Sequence, residues 1–256
     1  MKVRFFTLVL DGMPFICNHL PVFNRLNLDW SWRIAEGAAM NNESTSWCKP
    51  QQPRLSRDGT TQYLDGLFTH PKIRVHRQKS WLSKDAMVRA CVEDIKEETI
   101  LIQIDADEHW ESWQLEKIAK LFEVLPKVNA MKFFCRYFVG QNIITVGENC
   151  YGNNPGEWSR AWRFKAWSKV ISHEPAVFSH CEVPILTRDE TAAYKLTFDH
   201  YAYVNEQQVS FKANFYGYPS AVSHWKRLQL NSNWPVRLID FLPWVDDRVM
   251  ADQLHR

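Results

Sequence analysis

The sequence predicts an α/β fold, built on a mostly parallel central sheet that is flanked by helices. The first observation is that strand-like and helix-like segments alternate over the first half of the chain, as in parallel βαβ units. The second is residues 99–104, a near-continuous apolar run of the kind that is buried on both faces of a parallel sheet. The first strand, residues 3–10, has the same apolar character and ends at a turn beginning with Asp11.

The elements of the first half follow from local signals of strand, helix and turn. Pro14 is a residue type that opens helices, Asp58 and Ser83 are typical helix caps, and the polar stretch 37–57 indicates a long loop. We therefore expect strands at 3–10, 29–36, 72–76 and 99–104, and helices at 14–23, 58–68 and 83–97.

The second half has a different pattern, which predicts a smaller β region followed by helices. We expect a hairpin of strands at 130–139 and 143–146, further strands at 158–167 and 196–203, and a helix at 205–216. The predicted organisation is one domain over residues 1–216, with halves 1–110 and 111–216, and a C-terminal helical extension over 217–256.

Composition limits the class of protein. The chain has 256 residues, enough for one large α/β domain, and 31 basic residues against 29 acidic ones give a net charge of only +2. A nucleic-acid partner is therefore not expected. The apolar run at the N-terminus is too short to span a bilayer, and so is every later run, which predicts a cytoplasmic protein with reduced cysteines. Peripheral membrane contact and the oligomeric state are left open.

Asp105-Ala106-Asp107 is the strongest chemical signal. In an extended chain, residues two apart point to the same side, so both carboxylates can converge on one ligand at the carboxyl end of a buried strand. Carboxylate oxygens suit Mn²⁺ or Mg²⁺, which commonly keep coordination positions for substrate phosphates. The pair therefore predicts a divalent-metal site next to a phosphate-bearing substrate.

An ordered series of segments over residues 1–205 resembles the family 2 glycosyltransferases, which have the GT-A fold. The series consists of Asp11 after the first strand, Ile34-Ala35-Glu36-Gly37, Asp58-Gly59-Thr60, Lys72-Ile73-Arg74-Val75, Ser83-Lys84-Asp85 with Arg89, and Asp105-Ala106-Asp107-Glu108. The chain departs from the family at the end of the first strand, and where Ala35-Glu36-Gly37-Ala38 replaces an Asp-Asp-Gly-Ser segment.

The resemblance implies an enzyme that uses a nucleotide-diphosphate sugar as donor and a saccharide or glycoconjugate as acceptor. It places Asp105 at the ribose and the metal, and Asp107 directly on the metal. Asp11 and Glu36 become second-tier candidates for binding the donor. Lys84 and Arg89 could neutralise its phosphates, or could form the solvated face of a helix.

Two later segments also resemble parts of a subset of this family. His173-Glu174-Pro175 resembles its His-Glu pair, which makes Glu174 the first choice for the base that deprotonates the acceptor in an inverting reaction, ahead of Asp199 and Glu157. The segment 198–203 resembles its later His-Tyr-x-Tyr segment and makes His200 a third ligand of the metal or the diphosphate. Structural roles stay open for both residues: Glu174 as a loop-end residue and His200 as a hydrogen-bonded core histidine. The aromatic side chains proposed to stack on sugars are Trp158, Trp162 and Tyr201.

Two other functions remain open at this stage. A nucleotidyltransferase would use the same carboxylate pair, although it would usually add a Gly-rich phosphate loop where this chain has Asp11-Gly12-Met13-Pro14. A carbohydrate-binding protein without turnover could keep the same fold.

Overall fold

The computed structural model describes residues 1–146, 158–173, 176–181, 183–245 and 248–254. Its strands are β1 (Lys2–Val9), β2 (Asp29–Ala39), β3 (Ile73–Trp81), β4 (Thr99–Gln103), β5 (Glu108–His109), β6 (Ala130–Lys132), β7 (Phe134–Gly140), β8 (Ile143–Val146), β9 (Ser159–Phe164), β10 (Val170–Ser172), β11 (Val177–Phe178), β12 (Ile185–Leu186), β13 (Thr197–His200), β14 (Val236–Arg237) and β15 (Met250–Gln253). Its α-helices are α1 (His19–Phe23), α2 (Thr60–Asp65), α3 (Lys84–Val92), α4 (Ser112–Val124), α5 (Arg188–Ala193), α6 (Glu206–Tyr216) and α7 (Ala221–Gln229). Three short 3-10 segments cover Phe15–Asn18, Glu43–Thr45 and Leu238–Asp240.

A seven-stranded sheet forms the centre of the molecule, in the order β12-β6-β9-β4-β1-β2-β3. Strands β3, β2, β1 and β4 are parallel to their neighbours in this series, whereas β9 runs antiparallel to both β4 and β6. The chain moves outward from β1 to β3 and then returns to place β4 on the other side of β1. The carboxyl ends of β1 and β4 therefore flank a point at which the strand order reverses, where open α/β sheets bind ligands.

Both faces of this sheet are covered, which explains the apolar strands. Phe5 of β1 belongs to the hydrophobic cluster on one face, and its neighbour Phe6 belongs to the cluster on the other. All five residues of β4 are buried. Helix α3 covers the second face with Val88 and Cys91, which are both fully buried. The predicted α/β class and the mostly parallel sheet flanked by helices are confirmed.

The second half of the chain forms a six-stranded sheet in the order β14-β15-β8-β7-β13-β5. The predicted hairpin is present as antiparallel β7 and β8, although the expected strand 130–139 is interrupted at Phe133 and its first part, β6, joins the central sheet. Strand β15 pairs with β8, and α7 packs on α6, so residues after 217 complete this region. The domain boundary at residue 216 stays a prediction. No helix in the described part of the chain has the length and apolarity needed to cross a membrane.

The helix caps show where local signals succeed and where they fail. Ser83 accepts a hydrogen bond from the backbone N–H of Ala86 and caps α3 as predicted. The sequence predicts Asp58 as the cap of the following helix, but Gly59 occupies the cap position of α2. The Asp58 carboxylate instead accepts hydrogen bonds from the backbone N–H groups of Met13 and Thr60, and so joins the turn after β1 to the start of α2.

Candidate functional site

A cavity of about 560 Å³ opens at the carboxyl ends of β1 and β4. Residues 8–13 line it from the end of β1, and Gln103 with residues 105–107 lines it from the end of β4. Arg160 contributes from β9 and Trp158 from the position just before it, and one side of α6 closes the cavity. A cavity of this size is in the range of small-molecule sites. It lies at the place that the strand reversal favours for a ligand.

Asp105 faces this cavity and is held by two neighbours. Its Oδ1 accepts a hydrogen bond from Nε2 of Gln103 at 2.8 Å, and its Oδ2 accepts one from Nη2 of Arg160 at 2.9 Å. Arg160 is itself buried, and its guanidinium also binds the buried carboxylate of Glu108. Burial raises the pKa of Glu108 to about 8, although the Arg160 guanidinium opposes this shift.

Asp107 also lines the cavity, but it lies in a turn rather than in an extended chain. Its Oδ2 is 3.2 Å from Nζ of Lys212, and its Oδ1 is 3.3 Å from Nε2 of His200. Burial alone would raise the pKa of Asp107, but the Lys212 ammonium and His200 outweigh that effect and hold the pKa well below its usual value. Asp107 is therefore a carboxylate paired with a protein cation.

The predicted metal ligands can be tested against these contacts. Carboxylate oxygens and an imidazole are chemically suitable for Mn²⁺ or Mg²⁺. However, Asp105 already faces Arg160, and Asp107 already faces Lys212. Among the described residues, no group of three or more His, Cys, Asp or Glu side chains could hold a metal ion. Because both carboxylates are already paired with protein cations, the residues in this arrangement do not fit a divalent cation. The metal role of Asp105, Asp107 and His200 stays a prediction.

The four remaining candidates for donor contacts divide into two groups. Asp11 and Lys84 line the cavity. Asp11 is ion-paired with Arg54, and Nζ of Lys84 lies 4.8 Å from the ring centroid of Phe215.

Glu36 and Arg89 are not among the residues that line the cavity. The Glu36 carboxylate is fully buried and binds Arg77 and Thr61, while Arg89 is partly exposed on α3 and binds Glu43. Their contacts explain both residues without a donor, and their predicted roles in binding one stay untested.

Of the predicted base and its two alternatives, only Asp199 is among the described residues. Glu174 and Glu157 lie outside the described residues. His173, which precedes Glu174, lines the cavity, and its Nε2 is 3.3 Å from Nε2 of Gln103. Asp199 is buried in β13, binds Nη2 of Arg136 at 2.9 Å, and is not among the cavity-lining residues.

Of the predicted stacking residues, Trp158 lines the cavity. Its ring lies edge-on to that of His200, with 4.9 Å between the ring centroids. Trp162 is buried in the hydrophobic cluster on the α3 side of the sheet, so it cannot contact a sugar in the cavity. Tyr201 stacks on Phe15, and both rings line a second, open pocket.

Three residues at the cavity were not anticipated as site residues. Lys212 comes from α6, Arg160 comes from β9, and Trp47 at the cavity mouth stacks on Tyr216 with 5.6 Å between centroids. The sequence contains one signal for Arg160: it and Arg163 are the two basic residues of the short strand β9, and an arginine buried in a sheet needs an acidic or other polar partner. Lys212 has no comparable local signal.

No protein-family model matches the chain, and no curated protein sequence matches it. Among solved structures, it is similar to residues 1–349 of TarS from S. aureus at 10% identity and a TM-score of 0.44, over 64% of this chain and 47% of that one. The same region of TarS in complex with UDP-GlcNAc aligns at 9% identity and a TM-score of 0.42, over 64% and 45% of the two chains. The aligned part therefore spans about half the length of these TarS chains.

CMP:2-keto-3-deoxy-manno-octonic acid synthetase in complex with CTP also aligns with the chain. The identity is 10% and the TM-score 0.34, over 76% of this chain and 77% of that one. Similarities this weak do not support a statement on activity, which depends on the residues of the site.

Proposed function

We propose that the chain is a glycosyltransferase that moves a sugar from a nucleotide-diphosphate donor to a hydroxyl group of a saccharide or glycoconjugate. The observation that supports this most directly is the position of Asp105 and Asp107. Both line a cavity of about 560 Å³ at the reversal point of a mostly parallel sheet, next to Arg160 and Lys212. A charged wall of this kind suits a ligand with phosphates and polar rings.

In the proposed reaction, the acceptor oxygen attacks the anomeric carbon of the donor sugar. The bond from that carbon to the diphosphate oxygen breaks, and its electron pair leaves with the nucleoside diphosphate. Glu174 takes the acceptor proton, and the configuration at the anomeric carbon inverts. The assignment of Glu174 depends on the resemblance of its segment to family 2 enzymes, and it is supported by the presence of its neighbour His173 in the cavity wall.

A donor panel tests this function. UDP-glucose, UDP-N-acetylglucosamine, UDP-galactose and GDP-mannose are offered with a set of saccharide acceptors, and nucleoside diphosphate release is measured. Each assay is run with Mn²⁺, with Mg²⁺ and with EDTA, because a divalent cation would compete with Lys212 and Arg160 for the same two carboxylates. Release that depends on the acceptor supports the proposal. Release of pyrophosphate from a nucleoside triphosphate would indicate a nucleotidyltransferase instead. Binding of a saccharide without release of nucleoside diphosphate would indicate a carbohydrate-binding protein.

Two variants tie the activity to the site. Asp107→Asn is expected to lower the turnover at least about a hundredfold, because it removes the carboxylate charge that holds Lys212 at the cavity wall. Glu174→Gln is expected to lower kcat while the KM for the donor stays near that of the wild type. Asp65→Asn is the matched control, since Asp65 is half-exposed, pairs with Arg77 and does not line the cavity. Equal turnover in wild type and Asp107→Asn would contradict the assignment of the site.

A further inference from the structure

Helix α6 forms a wall of the cavity and is firmly attached to the rest of the molecule. Asn205 caps its first turn by accepting a hydrogen bond from the backbone N–H of Gln208. Gly217 ends the helix in the left-handed conformation, and Val209 is fully buried beneath it. Near its C-terminal end, the carbonyl of Phe215 accepts a hydrogen bond from the backbone N–H of Lys49 at 2.8 Å. The backbone of α6 is therefore anchored near both ends.

Lys212 is the basic residue that α6 presents to the cavity. Its Nζ is 3.2 Å from Oδ2 of Asp107 and lies 5.0 Å from the ring centroid of Tyr203. The Lys212 side chain is mostly buried. An ammonium group has three N–H donors, so it can bind Asp107 and a phosphate oxygen at the same time.

We propose that Lys212 supplies the positive charge against the donor diphosphate, in the place where the Asp pair predicts a divalent cation. The inference rests on the proposed function, since it assigns a residue to the leaving group of that reaction. The Lys212 ammonium binds a β-phosphate oxygen as the bond to the sugar breaks. Asp107 acts as a positioning residue that holds the ammonium at the cavity wall.

The charges around the cavity favour this assignment over a cation bound by the same carboxylates. Asp105 already faces Arg160, which also binds Glu108, and Asp107 already faces Lys212, so each aspartate has a protein cation beside it. A divalent ion bound there would lie against two protein cations and would have to displace at least one of them from its carboxylate. A diphosphate brings negative charge to cations that are already in position, and charge-assisted hydrogen bonds of this kind are among the stronger ones in proteins.

Inorganic pyrophosphate is the probe for this inference, because it contains the diphosphate without any base or sugar. Its binding to the full chain is measured by titration calorimetry in EDTA and then in Mn²⁺ or Mg²⁺. We expect the wild type to bind pyrophosphate in EDTA and Lys212→Met to bind it about tenfold to a hundredfold more weakly. Lys212→Arg should retain most of the affinity, since it preserves the charge. Lys226→Met is the matched control, because Lys226 lies on α7 in an exposed ion pair with Glu206.

The outcomes separate the inference from the proposed function. If the wild type binds pyrophosphate only with Mn²⁺ or Mg²⁺, the donor site stands and the role of Lys212 is overturned. If Lys212→Met is folded by circular dichroism and binds as tightly as the wild type in EDTA, the role of Lys212 is also overturned. If the wild type binds pyrophosphate under none of these conditions, the diphosphate site of the proposed function fails as well. If Lys212→Met does not fold, the role of Lys212 is still tested by wild-type binding in EDTA against binding in Mn²⁺ or Mg²⁺, and by the affinity of Lys212→Arg.

Discussion

The guanidinium of Arg77 lies against the fully buried carboxylate of Glu36, with 2.6 Å between Nε and Oε2. The two residues are opposite each other in the register of parallel β2 and β3. Arg77 also reaches Asp65 at the end of α2, with 2.7 Å between Nη1 and Oδ1. Glu36, which resembles a donor ligand in the sequence, thus belongs to a set of ion pairs that joins β2, β3 and α2.

Arg77→Met is expected to lower the free energy of unfolding by about 3 kcal/mol, because it leaves the Glu36 carboxylate buried without its cation. Thr61 and the backbone N–H of Ser56 still bind that carboxylate, which places the loss at the lower end of the usual range. Urea denaturation at pH 7 gives the value. Arg89→Met removes the same side chain from an exposed pair with Glu43, and an equal loss in the two variants would contradict this account.

Gly37→Ala is expected to lower the free energy of unfolding by at least about 2 kcal/mol. Gly37 lies at the irregularity between Glu36 and Ala38 in the pairing of β2 with β3, at a φ of +135°. An added Cβ would lie 1.8 Å from the backbone oxygen of Gln78, which cannot move without breaking the strand.

Gly66→Ala is the control for this substitution, because Gly66 has a φ of −65° at the end of α2. Its added Cβ would be 3.3 Å from the oxygen of Tyr63. We expect this variant to stay within about 0.5 kcal/mol of the wild type by thermal or urea unfolding. Similar stabilities of the two variants would show that the irregularity at Gly37 tolerates a side chain.

Asp94→Asn is expected to reduce stability at neutral pH and to have little effect in acid. Partial burial would raise the pKa of Asp94, but Arg4 on β1 and Arg33 on β2 outweigh it and hold the pKa below its usual value. A carboxyl whose pKa is lower in the folded state contributes stability above its unfolded-state pKa, about 3.9, and loses it as the pH falls through the folded-state value.

The difference between wild type and Asp94→Asn should therefore be about 1 kcal/mol at pH 7 and should shrink as the pH falls below about 4. Urea denaturation over a pH series measures it. Glu123→Gln, which breaks an exposed pair with Lys120, serves as the control. A difference that stays constant from pH 7 to pH 3 would mean that the Asp94 charge is not its source.

Trp47→Ala tests whether the cavity mouth contacts the acceptor of the proposed reaction. The Trp47 side chain is largely exposed, although one face stacks on Tyr216, so the other can stack on a sugar ring. We expect the KM for a saccharide acceptor to rise by about threefold to tenfold with little change in the KM for the donor. Trp167→Ala is the control, since Trp167 is equally exposed but is not among the cavity-lining residues. A rise in both variants would point to a general loss of structure.

The comparison of sequence and structure separates local from long-range information. The apolar run of β4 and the acidic residues that follow it are adjacent in the chain, so the sequence places Asp105 and Asp107 correctly at the end of a buried strand. The Ser83 cap and the helix after Asn205 are predicted for the same reason, because helix starts depend on neighbouring residues.

The partners of the two aspartates come from distant segments, and no local pattern predicts them. Arg160 is 55 residues from Asp105, and Lys212 is 105 residues from Asp107. Glu36 shows the opposite failure: the sequence places it at the end of a predicted strand, like a ligand, but it lies within β2 and pairs with Arg77, 41 residues away. Tertiary pairing thus decides whether an acidic residue at a strand end faces a substrate or stabilises the fold.

The place of Lys212 late in the chain has a consequence for biosynthesis. The ribosome adds α6 only after the central strands β1 to β4 have been made, so a growing chain exposes Asp107 before its cation exists. A chain released before α6 would lack one wall of the cavity. Protein shortened from its C-terminal end past α6 should therefore fail to bind pyrophosphate even where those strands persist.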